Sequence, residues 1–292
     1  MSPARSQPAA PRPASTSALS KVPQVTALFW IIKILTTGMG EAVSDSLVRI
    51  GGAIAVVITA AVLVAAFVAQ WRASRYVPVV YWFAVAMVSI FGTMAADIPR
   101  GLGLSLWVTT GVYLLAVVVI FVWWYRQEGT LSFSAITAGP REGLYWAAVL
   151  ATFALGTALG DLTADVWGLG NLASGLMFLV LIALPALATR WLGLNAVAGF
   201  WIAYVLTRPL GASFADWMGM PSAHGGLGLG TVPTALLWAV GVVVTVGYLA
   251  LTHHRAGVRE AGVTAASSVS SSASHPMTPA PTGVTSRSRG ES

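Results

Sequence analysis

The chain contains no cysteine and very few charged residues. Only 9% of its 292 residues are Asp, Glu, Lys or Arg, whereas soluble domains carry about 25%. The missing cysteine excludes disulfides and thiolate chemistry. The scarcity of charge excludes an ordinary soluble domain, which needs a far more polar surface. With 56% hydrophobic residues and a mean hydropathy of +0.77, the composition is that of a protein with several membrane spans.

Familiar catalytic motifs are missing as well. The sequence has no GxSxG elbow, no HExxH pair and no phosphate-binding P-loop. We therefore predict that the protein is not an enzyme and uses no cofactor. Without an ATP site, any transport would be secondary or channel-like. The net charge of +6 lies mostly in tails and short loops, so it does not indicate nucleic-acid binding.

Eight apolar segments are long enough to cross a bilayer, for which a helix of about 20 residues suffices. They are 24–47, 51–70, 79–98, 104–124, 143–163, 169–189, 194–217 and 232–252. The predicted fold class is all-α, a polytopic helical membrane bundle over residues 22–255. Segments 1–21 and 256–292 are rich in Pro, Ser, Ala or Thr and are predicted to be disordered cytoplasmic tails, because they cannot bury enough apolar surface.

Lysine and arginine alternate between the two sides of this bundle. If both termini lie in the cytoplasm, the opposite side holds only Arg49 and Arg100. Because basic loops stay inside, this bias predicts cytoplasmic termini. We expect a multi-pass protein of the bacterial cytoplasmic membrane, with the lipid bilayer as its surroundings. The sequence does not indicate an oligomeric state.

A motif recurs four times, once in every odd-numbered span. The copies are FWIIKILTTGMGEAVSD (29–45), YWFAVAMVSIFGTMAAD (81–97), YWAAVLATFALGTALGD (145–161) and FWIAYVLTRPLGASFAD (200–216). Each copy has a Trp, a Gly ten residues later and an Asp fifteen residues later. The Trp and Gly residues are Trp30 and Gly40, Trp82 and Gly92, Trp146 and Gly156, and Trp201 and Gly211. We interpret these residues as helix-packing positions.

The motif predicts four two-helix units in one parallel orientation, because two spans return the chain to the same side. The predicted units are about 22–72, 76–126, 140–190 and 193–254. This pattern resembles a family of uncharacterised bacterial membrane-anchored proteins built from a short two-span repeat of unknown function. The resemblance covers about residues 22–255 and implies topology and repeat. It implies no catalytic residues.

Carboxylates are the candidate functional groups of the motif helices. Steps of four residues place them on one slowly turning helix face, which should look into the protein rather than at lipid. The candidate ion path comprises Glu41, Asp45, Asp97, Asp161 and Asp216. The candidate counter-charges are Lys33 and Arg208, and Pro209 is expected to disturb its helix. Oxygen ligands alone suit protons, Na⁺, Mg²⁺, Ca²⁺ or Mn²⁺, and whether a metal binds stays open.

Two functions from different classes remain. The first is a secondary transporter or exchanger of small cations or protons, in which these acids bind the ion. The second is a non-transporting membrane scaffold or sensor, in which the Asp residues cap helix ends and Glu41 forms a structural salt bridge to Lys33 or Arg208. Convergence of the five acids on one cavity would favour the transporter.

Overall fold

A computed structural model describes residues 20–133, 136–137 and 139–273. The predicted disordered segments therefore lie largely outside it at residues 1–19 and 274–292. At both boundaries the structure extends further than the predicted transmembrane domain. Lys21 is buried, and the last helix continues past residue 255 to Ala273.

The described residues form helices and connecting loops without strands, so the predicted all-α class is confirmed. Local signals explain several starts: Thr26, Ser105 and Asn195 cap helix N-termini with their side-chain oxygens. The helices are α1 (Ala27–Arg72), α2 (Pro78–Gly101), α3 (Leu106–Glu128), α4 (Pro140–Asp161, continued by a π-helical turn over Leu162–Val166), α5 (Gly170–Leu181), α6 (Ala183–Trp191), α7 (Ala196–Gly219) and α8 (Thr231–Ala273).

Six helical stretches among the described residues are apolar and long enough to cross a membrane, judged by length and composition. The predicted count of eight separate spans is not confirmed by this measure, for two reasons. The first two predicted spans lie within the single helix α1. The seventh coincides with α7, which is not among the six and carries Arg208 and Asp216. The expected disturbance at Pro209 does not interrupt α7, which continues through this residue.

Helix α1 reverses direction at Gly52. A straight helix of its 46 residues would be about 69 Å long at 1.5 Å per residue. Yet near its end Gln70 donates a hydrogen bond to the carbonyl oxygen of Lys21 at 3.5 Å, and Lys21 lies just before its start. Gly52 has φ 49° and ψ −131°, a conformation that favours glycine. The second half of α1 therefore returns to the side on which the first begins.

Substitution of Gly52 by Ala tests this turn. A Cβ at Gly52 would meet no atom within 4 Å, so backbone strain is the only penalty. We expect Gly52→Ala to lower the free energy of unfolding by about 1–3 kcal/mol, measured by thermal unfolding in detergent. Gly111→Ala is the matched control, because Gly111 has equal space and an ordinary helical φ. Equal stability of the two variants would contradict the strained turn.

Four motif helices close into a ring in the order α1, α2, α4, α7 and back to α1. In this ring α1 contributes its first half, 27–51. At one end, the first aromatic residue of each motif contacts the Trp of the next. The pairs are Phe29–Trp82 at 5.6 Å, Tyr81–Trp146 at 5.6 Å, Tyr145–Trp201 at 6.3 Å and Phe200–Trp30 at 5.7 Å between ring centroids. We call this the aromatic layer. Because the aromatic residues that begin each motif all lie in this layer, all four helices run in the same direction.

A second cyclic layer is made by the motif glycines. Each Gly approaches the next helix so closely that an added Cβ would collide with it or press against it. The contacts are Gly40 to Ser89, Gly92 to Phe153, Gly156 to Arg208 and Gly211 to Thr37. All four partners occupy the same motif position, so the repeats keep one register around the ring. Small residues are what permit backbones to approach this closely.

The remaining helices pack outside the ring, each beside the motif helix of the following repeat. Helix α3 lies against α4, with Thr110 donating to the carbonyl oxygen of Ala158 at 3.4 Å. Helix α5 lies against α7, and α8 lies against α1, where Trp238 covers Gly38. These peripheral helices carry many of the exposed large apolar side chains. Their outer faces therefore have the character that lipid contact requires.

Candidate functional site

The polar stripe of each motif helix faces the interior of the ring. Its first three positions are buried in every repeat, whereas the terminal Asp is half-buried in every repeat. From the aromatic layer outward, the levels are Lys33, Val85, Val149 and Tyr204; then Thr37, Ser89, Phe153 and Arg208; then Glu41, Thr93, Thr157 and Ala212; then Asp45, Asp97, Asp161 and Asp216. Polar groups therefore line the axis from the Asp level inward.

A buried ion pair lies at the centre of this axis. Arg208 Nη2 donates to Glu41 Oε2 at 2.5 Å, and the two side chains are 1% and 7% exposed. Thr93 bridges the pair, accepting from Arg208 and donating to Glu41 at 3.4 Å. Arg208 Nη1 also donates to the carbonyl oxygen of Thr37 at 3.2 Å. The pair thus links three repeats, and Arg208 is the salt-bridge partner of Glu41.

Lys33 does not pair with any acid in the described residues. Its ammonium nitrogen lies 3.9 Å from the centre of the Phe153 ring and 4.2 Å from that of Tyr204. The side chain is 1% exposed, and its nitrogen has no hydrogen-bond partner. Cation–π contact with two rings is therefore its main polar interaction. As a candidate counter-charge, Lys33 therefore acts on the acids of the described residues without direct contact.

The four motif aspartates gather at the end of the ring opposite the aromatic layer, here called the aspartate end. Asp97 and Asp216 each lie within electrostatic range of both Asp45 and Asp161. Within the described residues, Asp45, Asp97 and Asp216 form no ion pair or hydrogen bond through their side chains. They are available to bind something else.

Asp161 differs from the other three because it has a cationic partner. Arg100 contacts Asp161 at 3.3 Å and Asp165 at 2.7 Å. Arg100 and Asp165 are about half exposed, so this cluster sits at the rim of the aspartate end. Asp165 lies in the π-helical turn after α4.

Two cavities open at the aspartate end and share Asp45 and Arg49. The larger, of about 390 Å³, also contacts Asp97 and lies between the two halves of α1 and α2. The smaller, of about 210 Å³, also contacts Asp216 and lies between α1, α7 and the start of α8. Asp45 lines both cavities, Asp97 the larger and Asp216 the smaller, whereas Glu41 and Asp161 line neither, so the five predicted acids do not converge on one cavity. Arg49 was missed because a basic residue between two spans reads as a loop charge.

No group of three or more His, Asp or Glu residues among the described part of the chain is arranged to hold a metal ion. The Asp residues are therefore neighbours without being one preformed chelating site.

A second buried ion pair lies near the end of the ring that holds the aromatic layer. Lys21 Nζ contacts Glu142 at 2.5 Å, and both side chains are at most 2% exposed. Lys21 also donates to the carbonyl oxygen of Trp71 at 3.2 Å, and its backbone N–H donates to Ile136. The segment around Lys21 therefore ties the end of α1 to the start of α4. Sequence reasoning missed this pair because Lys21 was placed in the tail.

Most predicted packing residues lie in the core. Trp82, Trp146 and Trp201 are buried, and Trp30 is partly buried. The motif tryptophans therefore hold the ring together at its aromatic layer rather than only marking a membrane interface. The four glycines form the close contacts described above.

The model of a protein family described as a Repeat of Unknown Function (DUF347) matches the chain four times. The matches cover residues 28–76, 80–130, 144–193 and 199–255, well over half of the chain. The chain belongs to this family. Each DUF347 repeat comprises one motif helix and the peripheral segment that follows it, so the predicted four-unit organisation is confirmed.

No curated protein and no solved structure matches the chain. The family description assigns no activity. A function can therefore be inferred only from the arrangement of the DUF347 repeats around the ring.

Proposed function

We propose that this protein crosses the membrane eight times, with both termini in the cytoplasm, and carries protons or small cations by secondary transport. The eight spans are the two halves of α1, helices α2, α3 and α4, the α5–α6 segment, and α7 and α8. In this orientation, which the distribution of Lys and Arg supports, the aspartate end lies on the extracytoplasmic side.

One observation carries the transport proposal: acidic groups lead from the aspartate end into the ring. Asp45, Asp97 and Asp216 have no hydrogen-bond or ion-pair partner among the described residues, and Glu41 follows one helical turn further in. Ionisable groups are expensive inside a membrane protein, and those that occur commonly mark ion pathways. The aromatic layer closes the opposite end, so the arrangement corresponds to a path open on one side only.

The path is asymmetric within the ring. Between the Asp level and the aromatic layer, the polar stripe has three charged residues, Lys33, Glu41 and Arg208. All three come from repeats one and four, which adjoin each other in the ring. The corresponding positions of repeats two and three hold Val, Ser, Thr or Phe. The smaller cavity also lies between α1 and α7. An ion would therefore move along the contact between α1 and α7.

A scaffold or sensor is the second candidate, and one observation favours it. The Glu41–Arg208 pair is fully buried and joined to Thr93 and Thr37, as a purely structural ion pair would be. In that case the aspartates would only make the outer rim polar.

A flux measurement separates these functions. Full-length protein in liposomes, with a pH-sensitive dye inside, would be challenged with a panel of monovalent and divalent cations. We expect cation-dependent proton movement, reduced at least about tenfold in Asp45→Asn and Asp216→Asn, which corresponds to about 1.4 kcal/mol or more of lost transition-state stabilisation. Both variants should fold, because neither carboxylate forms an ion pair or hydrogen bond within the part of the chain that the structure describes.

Asp165→Asn is the matched control, since Asp165 is an acid at the rim that lies outside the motif. It should retain nearly full flux. No flux for any ion with the wild type would refute transport and leave the scaffold. Equal loss in all three variants would show a general charge effect rather than a path.

A further inference from the structure

Lys33 is the buried charge that the proposed path leaves unexplained. Among the described residues, the buried cations Arg208 and Lys21 have carboxylate partners, Glu41 and Glu142. Lys33 has none, although it is 1% exposed. Removing an ion from water costs more free energy than cation–π contact with aromatic rings returns. The free energy lost by burying Lys33 without a carboxylate partner calls for a functional explanation.

The groups that contact Lys33 come from α4 and α7. Helix α7 presents the Tyr204 ring and the Arg208 guanidinium, and α4 presents Phe153. Helix α2 has Val85 at this level. Glu41, two turns along α1, is engaged by Arg208. Toward the aromatic layer, α2 and α4 carry Tyr81 and Tyr145, whose hydroxyls form a hydrogen bond with each other at 2.5 Å. None of these groups is an anion available to Lys33.

A lysine differs from an arginine at such a place because its amine can give up its proton, whereas guanidinium stays charged. The two aromatic faces accommodate the ammonium form, and the same apolar space accommodates the neutral amine. We infer that Lys33 is the proton-binding group of the exchange and releases its proton when a cation enters beside Asp45 and Glu41. This inference rests on the proposed function and adds the coupled ion and its residue.

The charge balance sets the stoichiometry. With Lys33 protonated, Lys33, Arg208 and Glu41 together carry one net positive charge. On release, one N–H bond of Lys33 breaks, its electron pair stays on Nζ, and the proton goes to solvent. A bound monovalent cation then restores the same net charge. One proton is therefore exchanged for each monovalent cation.

The test measures proton release by the full-length protein in weakly buffered detergent. NaCl or KCl is added, and choline chloride serves as the ionic-strength control. We expect release of about one proton per chain from the wild type. Lys33→Met should abolish release, and Lys33→Arg should also abolish it while weakening apparent cation affinity about tenfold, since the charge can no longer leave. Val85→Met, at the same level of the ring, should behave as the wild type.

The outcomes separate this inference from the proposed function. Undiminished release from folded Lys33→Met, or cation flux in liposomes without any proton release, would overturn the role of Lys33 and leave transport standing. Neither release nor flux from the wild type would overturn both. A merely structural Lys33 would give Lys33→Met and Lys33→Arg the same cation affinity, which contradicts the inference.

Discussion

Replacing Arg208 by Met is expected to lower the free energy of unfolding by about 3–5 kcal/mol. The substitution leaves Glu41 buried without its cation, and an uncompensated buried charge has a cost of this size. Thr93 and the carbonyl oxygen of Thr37 lose a donor at the same time. Thermal or denaturant unfolding in detergent, followed by tryptophan fluorescence, measures the loss.

The double variant Glu41→Met, Arg208→Met provides the decisive comparison. It removes both charges, so its stability should return to within about 1–2 kcal/mol of the wild type. Arg100→Met is the exposed control, because Arg100 is 49% exposed in its contact with Asp161. That change should cost less than about 1 kcal/mol. If the effects of Glu41→Met and Arg208→Met simply add, the two residues do not form the pair described.

Gly40→Ala is expected to destabilise the protein by about 1–3 kcal/mol through overpacking. The added Cβ would lie 2.8 Å from the backbone carbonyl carbon of Ser89, and a backbone atom of a packed helix cannot move aside. Gly211→Ala should behave alike, since its Cβ would lie 2.8 Å from the backbone nitrogen of Gly38. Unfolding in detergent again gives the measurement.

The same layer supplies a graded comparison. At Gly92 the nearest atom would be Phe153 Cβ at 3.2 Å, so Gly92→Ala should cost less than Gly40→Ala. Gly143→Ala meets nothing within 4 Å and should be neutral or stabilising by up to about 1 kcal/mol, because Ala favours helix over Gly. A Gly40→Ala protein as stable as Gly143→Ala would mean that α1 and α2 are not in close contact.

Composition and periodicity were sufficient to predict the class and the repeat. A hydrophobic chain with little charge leaves helical membrane spans as the main solution. The Trp, Gly and Asp spacing recurs four times, so it identified units that the family match confirms. Ring closure was not predicted, because a repeat within one chain does not say which copies touch. The contacts in the aromatic and glycine layers show that each motif touches the next one and that the fourth touches the first.

The candidate site was predictable in kind but not in its pairings. A polar stripe on an apolar helix must face inward, and the structure buries its first three positions in every repeat. Which acid meets which base depends on contacts between helices distant in sequence, as between Glu41 and Arg208. Phe153 and Tyr204 were visible as the two aromatic residues in the stripe. Their contact with Lys33 depends on α1, α4 and α7 together.

The last peripheral helix packs on the first motif helix, where Trp238 covers Gly38. The contact between the end and the beginning of the bundle is therefore of the same kind as the contacts between consecutive repeats. A ring closed in this way has no privileged first member. If the original ends were joined and the chain were cut between two other repeats, every interface of the ring would remain available. The interfaces of the ring therefore do not depend on which repeat comes first in the chain.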